Sequence, residues 1–122
     1  MTIIEAINKI DNLKPNGYTQ SDKISWLSQL DGTIKSKIID THEGSSEITF
    51  SEYTDDDINK ELIVPAPYED IYIRWLESQI DYANSEYPKY NNSITMYNSA
   101  YSEFERWYNR NHMPLGKKVK FF

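Results

Sequence analysis

The segment YNNSITMYNSAYSEFERWYNRNHMP, residues 90–114, carries the clearest helical pattern in the chain, with apolar residues recurring at intervals of four and three. This spacing places them on one face of a helix as a heptad-like seam. The seam consists of Tyr90, Ile94, Tyr97, Tyr101, Phe104 and Tyr108. We therefore expect a long helix that packs on the preceding helix as an antiparallel hairpin.

A second stripe on the same helix contains methionine and tryptophan and is rimmed by asparagine and serine instead of charge. Interfaces between proteins are enriched in aromatic residues and methionine and depleted in charged ones. The stripe therefore predicts a subunit interface, and its candidate residues are Met96, Ala100, Trp107, Asn91 and Asn98. A small helical domain that buries both stripes in its own core fits the pattern equally well.

The partner of this helix is predicted to begin at Pro67, a favourable first helical residue, and to end near a turn at residues 85–88. Its apolar residues surround more than half of its circumference, which indicates a central helix. Two further helices are expected upstream, at residues 3–13 and at roughly 20–41. Thr19 and Asp22 resemble a capping box at the start of the second of these. The sequence thus predicts a mainly α fold, a single small bundle of about four helices over residues 1–122.

Residues 42–65 interrupt the helical pattern with two β-prone pieces, EITFSEY and ELIV. They predict a β-hairpin-like or extended arm, which would gain order by pairing with something else, since an isolated hairpin is marginal in water. Its apolar residues are candidates for docking on a neighbouring protein. They are Ile48, Phe50, Tyr53, Leu62, Ile63 and Val64.

The arm also carries the whole net charge of −6, since residues 43–61 hold seven acidic side chains and one basic side chain. Such a surface repels phosphate, which disfavours nucleic-acid binding through it. A solvated loop is the simplest interpretation of this charge.

Several classes of protein are excluded by composition. The chain has no cysteine, which excludes a disulfide scaffold and thiolate zinc sites and favours an intracellular origin. Its N-terminus does not resemble a signal peptide, and no apolar run approaches the ~20 residues that span a membrane. We expect a protein that is neither exported by a signal peptide nor embedded in a membrane.

Catalytic signatures are equally scarce. The four glycines stand far apart, so no phosphate-binding loop is present, and we expect no enzyme activity and no cofactor or metal. Asp40, His42 and Glu43 remain a rival hypothesis for a metal or acid–base site, although a solvent-exposed His42 is the simpler expectation. His112 is expected to cap the last helix.

The tail LGKKVKFF, residues 115–122, is basic with an aromatic tip. Three lysines give only a weak, salt-sensitive attraction to nucleic acid, so docking on a neighbouring subunit is the better functional interpretation. A frayed terminus is the alternative. The docking candidates in the tail are Lys117, Lys118, Lys120, Phe121 and Phe122.

Several segments of the chain resemble one protein family. They are IDY-x-N-x-E, YNNS and YNR-x-HMP within residues 67–114, together with IIEAINKIDNLKPN and the pair Trp26–Leu27. The family comprises the head–tail connector, adaptor or head completion proteins of tailed bacteriophages and prophages of low-GC Gram-positive bacteria. The resemblance covers most of the chain, and it rests on the general pattern of residues in these segments instead of on a biochemical motif.

The resemblance implies a structural virion protein in the head–tail neck, assembled in the host cytoplasm as a ring, usually dodecameric, beneath the portal protein. Its partners would be the portal, further copies of itself and a tail-side neck or terminator protein. The arm and the tail occupy the places where such adaptors grip their neighbours. Genomic DNA would pass through the ring without sequence-specific binding, and acidic residues would keep it from sticking. The channel-facing candidates are Glu52, Asp55, Asp56 and Asp57.

One alternative of a different class remains open. A small phage-encoded regulatory or anti-host protein could use the same aromatic helix face to bind a single cellular partner. The oligomeric state separates the two hypotheses, because only the adaptor requires a ring that associates with portal.

Overall fold

The computed structural model describes residues 1–115 and confirms the predicted small helical bundle. The described part of the chain contains four α-helices, and each of them carries buried apolar residues. They are α1 (Ile3–Leu13), α2 (Gln20–Lys37), α3 (Asp70–Ala83) and α4 (Tyr87–Asn111). None of them is both long and apolar enough to cross a membrane.

α3 and α4 form the antiparallel hairpin that the seam predicts. Tyr97, Phe104 and Tyr108 of α4 are buried, and the ring of Tyr97 lies 4.9 Å from that of Trp75 on α3. The turn between the helices is tight, with Ser85 in the left-handed region at φ 58°. α4 begins at Tyr87, so its first turn includes a proline that was expected in the turn itself. Proline is tolerated there because the first N–H groups of a helix have no partner within it.

The starts of α1 and α2 are set by capping boxes. Thr19 and Asp22 exchange side-chain and backbone hydrogen bonds at the start of α2, as predicted. Thr2 and Glu5 do the same for α1. Each box satisfies two backbone N–H groups that would otherwise lack an acceptor.

Two helix boundaries differ from those predicted. α2 ends at Lys37 and is followed by a 3₁₀ turn at Ile39–Thr41, so the helix does not continue to residue 41. α3 begins at Asp70 and not at Pro67, because Pro67 lies inside a turn closed by a hydrogen bond of 2.9 Å from Tyr68 N to the carbonyl of Pro65. The Ala66–Pro67 peptide bond is cis.

Of the two forms predicted for residues 42–65, the β-hairpin is wrong. This arm contains two 3₁₀ turns, Ser45–Glu47 and Asp55–Asp57, and residues 1–115 include no β-strand. The backbone of the arm pairs with other parts of the chain at two isolated antiparallel bridges, Thr2 with Glu61 and His42 with Pro114. The arm therefore obtains its order from the start of α1 and the end of α4 instead of from a second strand of its own.

Two ion pairs, each with one buried partner, link α1 to its neighbours. Lys14, just after α1, pairs with Asp81 of α3, whose side chain is buried. Lys23 of α2 is also buried and pairs at 2.7 Å with Asp11 of α1. Removing one partner from a buried pair leaves an uncompensated charge, so these contacts fix how α1 packs against α2 and α3.

Candidate interaction surfaces

The predicted interface stripe of α4 is divided between the surface and the core. Met96 is 47% exposed and lies beside Asn92. Asn91 and Asn98 are also exposed, but the helical period places them on the other side of α4. Ala100 and Trp107 are only half-buried, and the Trp107 ring packs 5.2 Å from that of Tyr68. The outer half of the stripe is therefore available for a partner, whereas Trp107 also supports the chain's own core.

Exposed apolar side chains gather at one end of α4, beside its turn with α3. Tyr82 and Tyr87 are 57% and 53% exposed, and their rings meet edge to face at 5.9 Å. The Tyr90 ring also meets that of Tyr82, at 5.2 Å. We call Tyr82 and Tyr87 the turn-end patch. It is an apolar surface held on a rigid hairpin.

A second exposed apolar pair lies at the other end of α4. Met113 and Leu115 are 55% and 54% exposed, and we call them the arm-end patch. The carbonyl of Met113 accepts a hydrogen bond from Glu43 N, and Leu115 N donates to the carbonyl of Thr41. The 25 residues of α4 separate the two patches by about 37 Å at the rise of an α-helix. The molecule thus presents two different apolar surfaces at opposite ends of one helix.

The apolar residues predicted to dock from the arm face inward instead. Tyr53, Leu62 and Val64 are buried in the core, and the other three candidates are half-buried against it. Those three are Ile48, Phe50 and Ile63. As folded, the arm offers its backbone and its charged side chains to the surroundings, because its apolar side chains already have partners within the chain.

The acidic residues of the arm remain at the surface. Glu52, Asp55 and Asp56 are exposed, as expected for a solvated segment. Asp57 accepts a hydrogen bond of 2.8 Å from Thr54 N, and this backbone contact lowers the pKa of its carboxyl. Asp57 is therefore a capping residue of the 3₁₀ turn as well as part of the acidic surface.

A buried polar cluster, which was not among the predicted sites, joins the arm to α2 and α3. The carboxylate of Asp31 on α2 is fully buried. It accepts hydrogen bonds from the Tyr53 hydroxyl, from the Tyr72 hydroxyl at 2.6 Å and from Ile63 N at 3.1 Å. The Tyr72 hydroxyl in turn accepts from Val64 N at 2.7 Å. Every polar atom of this cluster has a partner within the chain, so the cluster stabilises the packing of the arm on α2 and α3.

Burial dominates the protonation behaviour of this cluster. It raises the pKa of the Asp31 carboxyl, although the hydrogen bonds from Tyr53, Tyr72 and Ile63 act in the opposite direction. Burial and the Asp31 charge raise the pKa values of both tyrosines far above their ordinary value, so both hydroxyls remain donors. The cluster can hold the arm in place, and no substrate can reach it as folded.

His42 is buried, at 4% exposure, which corrects the expectation of a solvent-exposed side chain. Its Nδ1 lies 2.6 Å from the carbonyl oxygen of Ile38, and its Nε2 lies 2.6 Å from Oδ1 of Asn109 on α4. The Tyr108 ring meets the imidazole edge to face at 5.0 Å. His42 therefore joins the start of the arm to the end of α4.

The rival metal or acid–base site does not assemble around this histidine. Asp40 pairs with Lys35, Glu43 is exposed, and both nitrogens of His42 face other partners. Across residues 1–115 no three histidine or carboxylate side chains lie close enough together to hold a metal ion. His112 follows α4 as predicted, with Nδ1 3.2 Å from the carbonyl oxygen of Tyr108, and its ring stacks on that of Tyr108 at 3.8 Å.

The tail candidates lie outside the described residues. They are Lys117, Lys118, Lys120, Phe121 and Phe122. The last described residue is Leu115, hydrogen-bonded to Thr41 beyond the end of α2.

Comparison of the chain with models of protein families, with curated proteins and with solved structures found no match.

Proposed function

We propose that this protein is a non-enzymatic head–tail adaptor of a tailed bacteriophage or prophage. It forms a ring of about twelve copies under the portal and joins the DNA-filled head to the tail. The observation that carries the proposal is the pair of unlike apolar patches at opposite ends of α4. A ring closed by head-to-tail contacts needs two different surfaces on every subunit. The resemblance of residues 67–114 to connector proteins supplies the identity of the assembly.

The rigidity of the described chain suits this role. An adaptor must transmit contacts between neighbours without unfolding, and here the arm is tied to α1, α2, α3 and α4 by backbone bridges and by the Asp31 cluster. The acidic arm residues give the surface a negative charge that disfavours adhesion of DNA. In this proposal the arm contributes a charged, ordered surface of the ring, and the turn-end and arm-end patches form the contacts between subunits.

The first experiment deletes the gene from the phage or prophage that carries it and examines the induced particles by electron microscopy. We expect DNA-filled heads and tails to accumulate separately. Complementation with the unaltered gene should restore joined particles. Normal tailed particles in the deletion strain would exclude an essential connector and would favour the regulatory alternative.

A second experiment tests the head-to-tail contact in the purified protein. Tyr87→Asp alters the turn-end patch and Leu115→Asp alters the arm-end patch, while Asn59→Asp changes an exposed arm residue outside both patches. We expect each patch variant alone to fail to assemble with portal present, and the control to assemble. A mixture of the two patch variants should form one-to-one pairs, because one intact surface of each kind remains. Pairs are measured by native mass spectrometry.

A symmetric contact predicts a different result. If one patch binds the same patch on a second copy, the variant of that patch should no longer associate, and the variant of the other patch should associate normally. Mixing the two variants should then not restore association of the defective one. That result would contradict the head-to-tail arrangement while leaving the deletion experiment to decide the joining role.

A further inference from the structure

An open groove lies between α2 and the arm. Its volume is approximately 580 Å³, which is within the range of about 300–1,000 Å³ typical of ligand clefts. One wall is a row of small or hydroxyl-bearing residues of α2, and the other is formed by the arm. The residues that define its shape and charge are Gly32, Ser36, Phe50, Glu52 and Asp55.

The groove has an apolar centre and an acidic rim. Phe50 lies against α2 where Gly32 leaves space, since its Cε2 atom is 3.3 Å from the place that a Cβ on Gly32 would take. Phe50 remains half-buried. Glu52 and Asp55 line the arm side, and the lining residues include no lysine or arginine. An occupant with aromatic side chains and positive charge would complement this surface.

The last described residues pair with the segment that follows α2. In the antiparallel pairing of His42 with Pro114, Met113 lies opposite Glu43 and Leu115 lies opposite Thr41. The direction from Met113 to Leu115 therefore leads from the arm toward the end of α2 at Lys37. Seven residues follow Leu115, and their sequence is GKKVKFF. They contain three lysines, no acidic side chain and two phenylalanines.

The length of this segment matches the distance. Seven extended residues span about 23 Å at about 3.3 Å per residue. The path from Thr41 back along α2 to Gly32 is about 14 Å at the helical rise of about 1.5 Å per residue. The last residues of the segment can therefore reach the centre of the groove from the same molecule.

We propose that the groove between α2 and the arm binds the chain's own C-terminal segment, residues 116–122. Phe121 and Phe122 pack against Phe50 beside Gly32, and the lysines face Glu52 and Asp55. This contact does not depend on the adaptor function. It would cover a groove that otherwise exposes the half-buried Phe50, and it would hold the segment back from other partners.

The chain's lack of cysteine allows a direct test. A single cysteine appended after Phe122 carries a nitroxide, which broadens the amide resonances of residues near it. In ¹⁵N-labelled, spin-labelled protein we expect the signals of Gly32, Thr33 and Phe50 to lose most of their intensity relative to the reduced, diamagnetic sample. A mixture of ¹⁵N-labelled protein without nitroxide and unlabelled protein with nitroxide should show no such loss, because the contact is within one molecule.

Two variants test the charge complementarity. Glu52→Lys should restore most of the lost intensity, whereas Glu103→Lys, an exposed residue of α4 away from the groove, should not. Unchanged resonances elsewhere show that both variants are folded. Loss of intensity in the mixture would mean that the segment of a second copy fills the groove and would overturn the proposal. Full intensity at Gly32 and Phe50 in the labelled protein would overturn it as well.

Discussion

At the scale of single residues, Asp31 is the buried side chain that links the arm to two helices. Its carboxylate receives hydrogen bonds from Tyr53 and Ile63 of the arm and from Tyr72 of α3. A buried acceptor with three donors organises the donors only while it is charged or fully paired. The position of the arm therefore depends on one ionisable group.

We predict a specific pH dependence from Asp31. Its pKa is raised in the folded protein, so its contribution to stability is fully present below the ordinary carboxyl pKa of about 3.9 and is lost as the pH rises through the folded value. Asp31→Asn cannot titrate. The free energy of unfolding of the wild type minus that of the variant should therefore fall as the pH rises, measured by urea denaturation between acid and neutral pH.

Asp56→Asn is the matched control, because it removes an exposed carboxylate of the same acidic arm outside both the Asp31 cluster and the groove. A difference between the wild type and Asp31→Asn that does not change with pH would contradict a raised pKa for Asp31.

His42 and Asn109 form the second long-range contact at this scale, 67 positions apart in sequence. We predict that Asn109→Ala lowers the free energy of unfolding by about 1–3 kcal/mol, because it leaves a buried ring nitrogen without its partner. His42→Ala should be destabilising too, and the double variant should lose less than the sum of the two. A double-mutant cycle by chemical denaturation measures this coupling, and strict additivity would show that the hydrogen bond contributes nothing.

Asp31 and His42 show which side-chain environments could be predicted from the sequence and which could not. Asp31 is four residues after Leu27 and three before Ile34, on the core face of α2, so its burial was open to prediction from the helical period. The pairing of His42 with Asn109 could not be predicted, because no local pattern indicates which distant residue contacts a histidine in a loop. For the same reason its predicted exposure was wrong.

At the scale of elements, α4 combines a core helix with a surface helix. Its seam packs on α3 as predicted, yet its second stripe is split. Met96 is exposed and Trp107 packs among Tyr68, Phe104 and Tyr108. The helical period predicts which residues share a face but does not indicate where along that face the neighbouring elements end.

We predict that substitutions in the two parts of the stripe have different effects, one on folding and the other on assembly. Trp107→Ala should lower the free energy of unfolding by about 2 kcal/mol, since it removes a half-buried aromatic side chain. Met96→Ala should change it by less than about 0.5 kcal/mol, as for most surface substitutions. Any assembly defect of Met96→Ala, measured by native mass spectrometry with portal, would then report an interface. Equal thermal destabilisation by both variants would identify the whole stripe as core.

The arm was predicted least accurately, for a physical reason. Alternating apolar residues in short pieces indicate an extended chain, but its backbone partners were the start of α1 and the end of α4, which are remote in sequence. The apolar residues that resembled a docking surface are the ones that bury the arm in the core. The helices needed only local signals, and the predicted capping box of Thr19 and Asp22 is confirmed.

At the scale of the whole molecule, the terminal segment is expected to be dispensable for the helical fold. We predict that a chain ending at Leu115 retains its helical circular dichroism, because all four described helices lie within residues 1–115. Its binding to portal, measured by co-sedimentation, should be impaired. A truncated chain that attaches as well as the full chain would leave residues 116–122 without a role in attachment.

The tryptophans provide a native optical reporter for such measurements. Trp107 lies 6.3 Å from His112, immediately before the arm-end patch, and is half-buried. Trp75 donates its indole N–H to the backbone carbonyl of Trp26, and the Trp26 ring meets that of Tyr18 edge to face at 5.5 Å, so both rings have partners within the chain. Binding at the arm-end patch should therefore change the fluorescence emission of Trp107, while the emission of Trp26 and Trp75 stays nearly constant. Stopped-flow fluorescence could then time the association of subunits without any dye attached to the protein.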